Sequence, residues 1–306
     1  MGKFGKAVLI LTLILGIVFF YLGINSANTS GITIQKIVET VSANLREMNL
    51  NYSSNEYTEI GKTETIETTP DLKKIIIETS VADLNIKRGN TSNFVFDIKG
   101  NVLKLNSENL YSIDSKNSEI KLEVAKFNSI RPSISGINVE ITLPVGFTGK
   151  LEVKSTSGSI FIDSDSQYMD LTSVSGDISV ESIATTAIKS VSTSGNININ
   201  GYELDVDTKS TSGDVSITGE IFKGNIKTTS GDIILRGNVI SDKMKITSVS
   251  GKVEISVSGG YDFKATSTSG YISYDGKNAE KEASGKIWGG GKEIIIETTS
   301  GDIYLQ

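Results

Sequence analysis

One phrase, repeated, restricts what this chain can fold into more than anything else in it. Variants of Ser/Thr-x-Ser-Gly are centred on Gly158, Gly176, Gly195, Gly213, Gly231, Gly251, Gly270 and Gly301, with gaps of 18, 19, 18, 18, 20, 19 and 31 residues. Two and four residues after each glycine stand apolar side chains: Ile160/Ile162, Ile178/Val180, Ile197/Ile199, Val215/Ile217, Ile233/Leu235, Val253/Ile255, Ile272/Tyr274 and Ile303/Leu305. Polar residues fill most positions between them. Alternation with a period of two predicts a strand with one buried face. A weaker alternation precedes the phrases, as in Leu151/Val153, Met169/Leu171, Met244/Ile246 and Ile294/Ile296. Each unit therefore reads strand, Ser-Gly corner, strand, turn.

A period of about 18–19 residues is too short for ankyrin, tetratricopeptide or propeller units and suits one coil of a parallel β-solenoid. A single coil cannot cover its own apolar face. Successive copies are expected to lie on one another in register, so that like residues form columns. Eight coils at about 4.8 Å each give a stack of roughly 38 Å. The corner serines and threonines are expected to bond backbone, and the glycine to supply the dihedral freedom of the corner. Only 3 prolines occur, which suits continuous ladders.

Upstream, "LKKIIIETSVADLNIKRG", "NFVFDIKGNVLKLNSEN" and "SEIKLEVAKFN" alternate without the Ser-Gly corner and read as irregular N-terminal β coils or a capping sheet. The long gap holds "DGKNAEKEASGKIWGGGKEIIIETTSGDIYLQ". Asp275-Gly276 is a turn signal. Trp288, the only tryptophan, reads as a plug for the end of the apolar stack, or alternatively as a ligand-stacking ring on an exposed loop. "GKIWGGGK" lacks the spacing of a nucleotide loop. The last coil, "DIYLQ", closes the sequence with little visible cap, an open edge that could template self-association.

"MGKFGKAVLILTLILGIVFFYLGINSANTSG" opens the chain, with Lys3 and Lys6 before an uncharged apolar run from Ala7 to Ile24. Eighteen residues suffice for a membrane-spanning helix and exceed the usual core of a cleaved signal, which remains the alternative. Either places the rest outside the cytoplasm, because the lysines stay inside. Ile34, Ile37, Val38, Val41, Leu45 and Met48 then fall on one face of a short amphipathic helix. The expected organisation is a membrane anchor over 1–27, the amphipathic helix and a linker over 28–70, and one β-strand-repeat domain over 71–306.

A net charge of −6 excludes nucleic acid as an expected partner, since phosphate binding needs a basic patch. With no histidine and no cysteine, disulfides, the usual zinc and haem sites and histidine acid–base catalysis are out of reach. Four corners read Ser-Gly-Asp, at Asp177, Asp214, Asp232 and Asp302. A stacked Asp column suggests calcium. The competing reading is an Asx-type hydrogen bond that steadies the corner, or simple exposure to water. The column is broken by Ser159, Asn196, Lys252 and Tyr271, and the denser Gly-and-Asp nonapeptide of calcium β-rolls is missing. Clustered carboxylates would be needed for a sugar lyase or hydrolase, and no constellation stands out. Flat threonine rows of the ice-binding kind would sit at corners here.

"EITLPVGFTGKLEVKSTSGSIFI", the serial "SVSGDISV", "STSGDVSI" and "TTSGDIIL", and the final "IIIETTSGDIYL" resemble the bacterial putative-adhesin β-strand-repeat family, of unknown function, over roughly residues 70–306. The resemblance implies an extracytoplasmic or membrane-anchored β-solenoid, some members being encoded near cell-envelope stress regulators. It implies no catalytic, cofactor-binding or metal-ligating residue, and no cofactor. The function expected is a non-catalytic, single-pass, membrane-anchored scaffold or adhesin-like module facing outward. Its partners would be the membrane, a cell-wall polymer or envelope protein, and a second copy of itself. The alternative is a carbohydrate-active β-helix enzyme or a calcium-binding repeat protein.

Overall fold

A computed structural model describes residues 57–103, 110–125, 134–182, 187–239 and 243–306. The anchor and amphipathic helix expected over the first 56 residues lie outside them. The described residues form strands and no helix. In chain order these are β1 (Tyr57–Glu67), β2 (Lys74–Thr79), β3 (Asp83–Arg88), β4 (Asn93–Leu103), β5 (Tyr111–Lys116), β6 (Glu119–Val124) and β7 (Ile134–Leu143). Next come β8 (Lys150–Ser155), β9 (Ile160–Asp163), β10 (Tyr168–Ser173), β11 (Ile178–Ser182), β12 (Ala187–Ser192), β13 (Ile197–Ser210) and β14 (Val215–Thr228). The last are β15 (Ile233–Val239), β16 (Lys243–Ser248), β17 (Val253–Ser258), β18 (Tyr261–Tyr274), β19 (Lys277–Ile287), β20 (Lys292–Thr298) and β21 (Ile303–Leu305).

All belong to one hydrogen-bonded sheet wound into a solenoid. Strands before the corner stack in one layer, in the order β6-β2-β8-β10-β12-β13-β14-β16-β20-β18. Strands after it stack in a second, in the order β7-β3-β9-β11-β13-β14-β15-β17-β21-β18. Every contact in both series is parallel. β13 and β14 close one coil and open the next, and β18 runs through its own corner.

The predicted columns form. Ile178 stands opposite Ile160 and Ile197, and Val180 opposite Ile162 and Ile199. Of the sixteen residues at those two positions all but Tyr274 are buried, and the preceding Leu151, Val153, Met169, Leu171, Met244 and Ile246 are fully so. Side chains from both layers meet in one continuous apolar core.

The stacking order departs from chain order at both ends. The coil β20–β21 does not follow β18. It lies between β16–β17 and β18, pairing with all three. At the other end β2–β3 lies between β6–β7 and β8–β9. Strict succession of copies therefore fails for the first coils and for the last two. The edge expected at "DIYLQ" is absent as well: β21 is interior, and the stack ends on β19, antiparallel to β18. Antiparallel strands close the opposite end too, β5 against β6, and β4 then β1 against β7. Tyr111 of β5 donates to Glu64 of β1 at 2.6 Å, tying those two caps together and pushing the phenol pKa up to about 12.

The glycine expectation needs a different reason. The corner glycines are not among the residues with positive φ. Their requirement is steric: a methyl on Gly213 would land on the carbonyl oxygen of Gly195 in the coil beneath. Ala82 holds the same place in the coil below Gly158.

Candidate functional site

The corners form the most regular surface of the molecule. Three residues before the glycine, a buried hydroxyl accepts its backbone N–H: Ser210 from Gly213 at 2.9 Å, Thr228 from Gly231 at 3.1 Å, Ser248 from Gly251 at 3.0 Å, Thr298 from Gly301 at 2.9 Å. Thr79 does the same for Ala82 at 2.9 Å. At these corners the hydroxyl satisfies an N–H that the bend removes from the ladder, whereas Ser173 and Ser192 hold the same buried place with no partner for the hydroxyl. The two residues between point outward. Thr156, Thr193, Thr211, Thr229 and Thr299, with Val174 and Val249, form one exposed row beside a row of exposed serines.

The Asp column has a structural use. The N–H of Asn196 donates to Asp177 Oδ1 at 2.7 Å, that of Asp214 to Asn196 Oδ1 at 2.9 Å, that of Asp232 to Asp214 Oδ1 at 2.8 Å, and that of Lys252 to Asp232 Oδ1 at 2.7 Å. The N–H of Tyr271 donates to Asp302 Oδ1 at 3.1 Å, and that of Ser159 to Asp83 Oδ1 at 2.8 Å. Each acidic side chain reaches one coil along the stack and holds the next corner. Asn196 does this as well as aspartate, so the column asks for an acceptor and not for charge. Among the described residues no group of three or more acidic side chains is placed to hold a metal ion.

Charge gathers instead on the outer face of the layer before the corner. Lys154 and Lys74 reach Glu152 at 2.7 and 3.0 Å, and Lys74 also reaches Glu119 at 3.4 Å. The hydrogen bond from Lys154, with that from Lys74, holds the Glu152 carboxyl at a pKa of about 2. On the other layer the insertion of β21 brings together tyrosines far apart in sequence. Tyr271 and Tyr304 join hydroxyls, with ring centroids 5.7 Å apart and planes at 81°. That bond pushes the Tyr304 pKa up to about 12. Lys252 stands 5.9 Å from the Tyr304 ring. No column in the sequence announces this pair, because it depends on the exchanged order of the last coils.

Trp288 plugs nothing. It sits in the β19–β20 turn, 69% exposed, and the stack end it was expected to close is covered by β19.

These features define an all-β, solenoid-like fold whose corners and faces are held by repeated polar bonds. The chain belongs to the Toastrack DUF4097 family, which matches residues 72–306. Three solved structures resemble it. A "putative cell adhesion protein" from Clostridium sporogenes is 17% identical, over 80% of this chain and 98% of that one, at a TM-score of 0.26. A "putative adhesin" from Bacteroides fragilis is 12% identical, over 81% and 96%, at 0.41. A "putative lipid binding protein" from Parabacteroides distasonis is 12% identical, over 83% and 98%, at 0.47. These structures carry the names of adhesins and binding proteins, not of enzymes. No curated protein matches the chain.

Proposed function

We propose that this chain is a non-catalytic, adhesin-like binding or scaffold module of the cell envelope, anchored by its N-terminal apolar run and facing outward. One observation carries the reading: the polar groups that could do chemistry are engaged in holding one coil to the next. The corner aspartates accept backbone N–H groups, and Glu152 lies among lysines. What remains is long, regular, exposed surface, which suits a wall polymer or an envelope protein. Protease added to intact cells should degrade residues 57–306, and cross-linking there should capture a wall or envelope component. A chain protected in intact cells and cut only after lysis would overturn the outward placement. Capture by cytoplasmic proteins alone would overturn the envelope role.

A further inference from the structure

The C-terminal coil occupies a slot that other parts of the chain build. Its strand pairings are with β16 and β17 on one side and β18 on the other. Bonds at its corner repeat this: Ser300 N–H donates to Val249 O at 2.8 Å, and Ser269 N–H to Thr299 O at 2.9 Å. It has no pairing with β19, the strand before it in sequence. Between them lies only Trp288-Gly289-Gly290-Gly291. This turn crosses the start of β18, where the carbonyls of Trp288 and Gly290 pass so close to Gly260 that a side chain there would meet them.

All four turn residues have positive φ: 47° at Trp288, 90° at Gly289, 84° at Gly290 and 156° at Gly291. Tryptophan is a poor residue for that conformation, and its ring stays in water. The three glycines adopt positive φ freely, so the strain of this short hinge sits at Trp288, and a short strained hinge is the condition that invites exchange of the segment it tethers.

We infer that two copies of this chain exchange the segment Lys292–Gln306, each filling the other's slot. The occupant is a second copy because the slot fits this sequence residue for residue. Exchange restores every inter-coil bond and straightens the turn. If the two β19 caps abut, the partner's slot lies about three strand spacings away, roughly 14 Å. The five Cα steps from Ile287 to Lys292 reach about 17 Å when extended.

The absence of cysteine makes the test direct. Lys245 and Ile295 are Cα partners on adjacent strands of one layer. Full-length Lys245→Cys and Ile295→Cys chains carrying different tags are co-expressed, and their membranes are treated with a short bis-maleimide. Exchange gives a cross-linked pair of differently tagged chains. Its yield should exceed by roughly a hundredfold that from Lys189→Cys with Ile295→Cys, which meet only by collision. Lengthening the hinge by three glycines after Gly291 should lower the yield severalfold. A yield equal to the collisional control overturns the inference, provided the Lys245→Cys/Ile295→Cys double variant links within one chain and so proves the slot is filled. A yield that the longer hinge leaves unchanged overturns the role of the turn.

Discussion

At the scale of single residues the columns decide stability. Ile233 is buried in the core and its neighbour Ile234 lies partly exposed on the outer face of the same strand. Ile233→Asp places an unpaired charge in that core and is expected to unfold the domain or cost several kcal/mol. Ile234→Asp should stay within about 1 kcal/mol of the parent. Thermal melts of the two variants check this; equal shifts would refute the assignment of faces. Gly213→Ala tests the glycine column in the same way. Its methyl must displace the Gly195 carbonyl, so a loss of at least about 2 kcal/mol is expected, where Ala82→Gly loses far less. The apolar columns were legible from the sequence because alternation reports burial directly. The reason for glycine was not, since it lies between coils and leaves no mark within one.

At the scale of the element, the corner needs acceptors and the outer face needs charges. Asp214→Asn should keep the bond to the N–H of Asp232 and leave the melting temperature close to the parent's. Asp214→Ala removes the acceptor and should cost about 1 kcal/mol, or roughly 2–4 °C. Glu152 adds a pH dependence. Its folded pKa is lowered from 4.5 to about 2, so its contribution is present above 4.5 and is lost as pH falls from there toward 2. Screening by water keeps it to about 1 kcal/mol. In denaturant titrations Glu152→Gln should lose that increment at pH 7 and match the parent near pH 2; a constant difference across the range would contradict the ion-pair origin. The coil β2–β3 shows why the upstream region read as irregular. Thr79-Ser80-Val81-Ala82-Asp83, followed by Leu84 and Ile86, is the corner phrase with valine for its second serine and alanine for its glycine. Thr79 and Asp83 make the standard bonds. The phrase was hidden because its two most visible letters, the serine and the glycine, are both replaced there.

At the scale of the whole molecule, identical columns make interior coils interchangeable and give the ends a problem that sequence alone does not solve. Any copy could stack on any other in register, so the local pattern fits several orders equally. The order is set by the ends, where β1, β4, β5 and β19 lack the phrase and run antiparallel. This division predicts opposite outcomes for two deletions of similar size. Removing Asn196–Gly213 joins Gly195 to Asp214 and takes out one full period. β11 and β12 then meet the two halves of β14, with Ser192 beside Thr228, and the N–H of Asp214 finds Asp177. A folded protein about 4.8 Å shorter is expected, with a cooperative melt lowered by a few degrees. Removing Lys292–Gln306 deletes fewer residues yet strips β18 of its parallel partners and leaves the β18–β19 cap with nothing beneath it. That chain should melt in two steps or aggregate, with amide exchange fastest from Tyr261 to Ile287. Were the interior deletion the more damaging of the two, stability would reside in the individual identity of each coil and not in the match between neighbours.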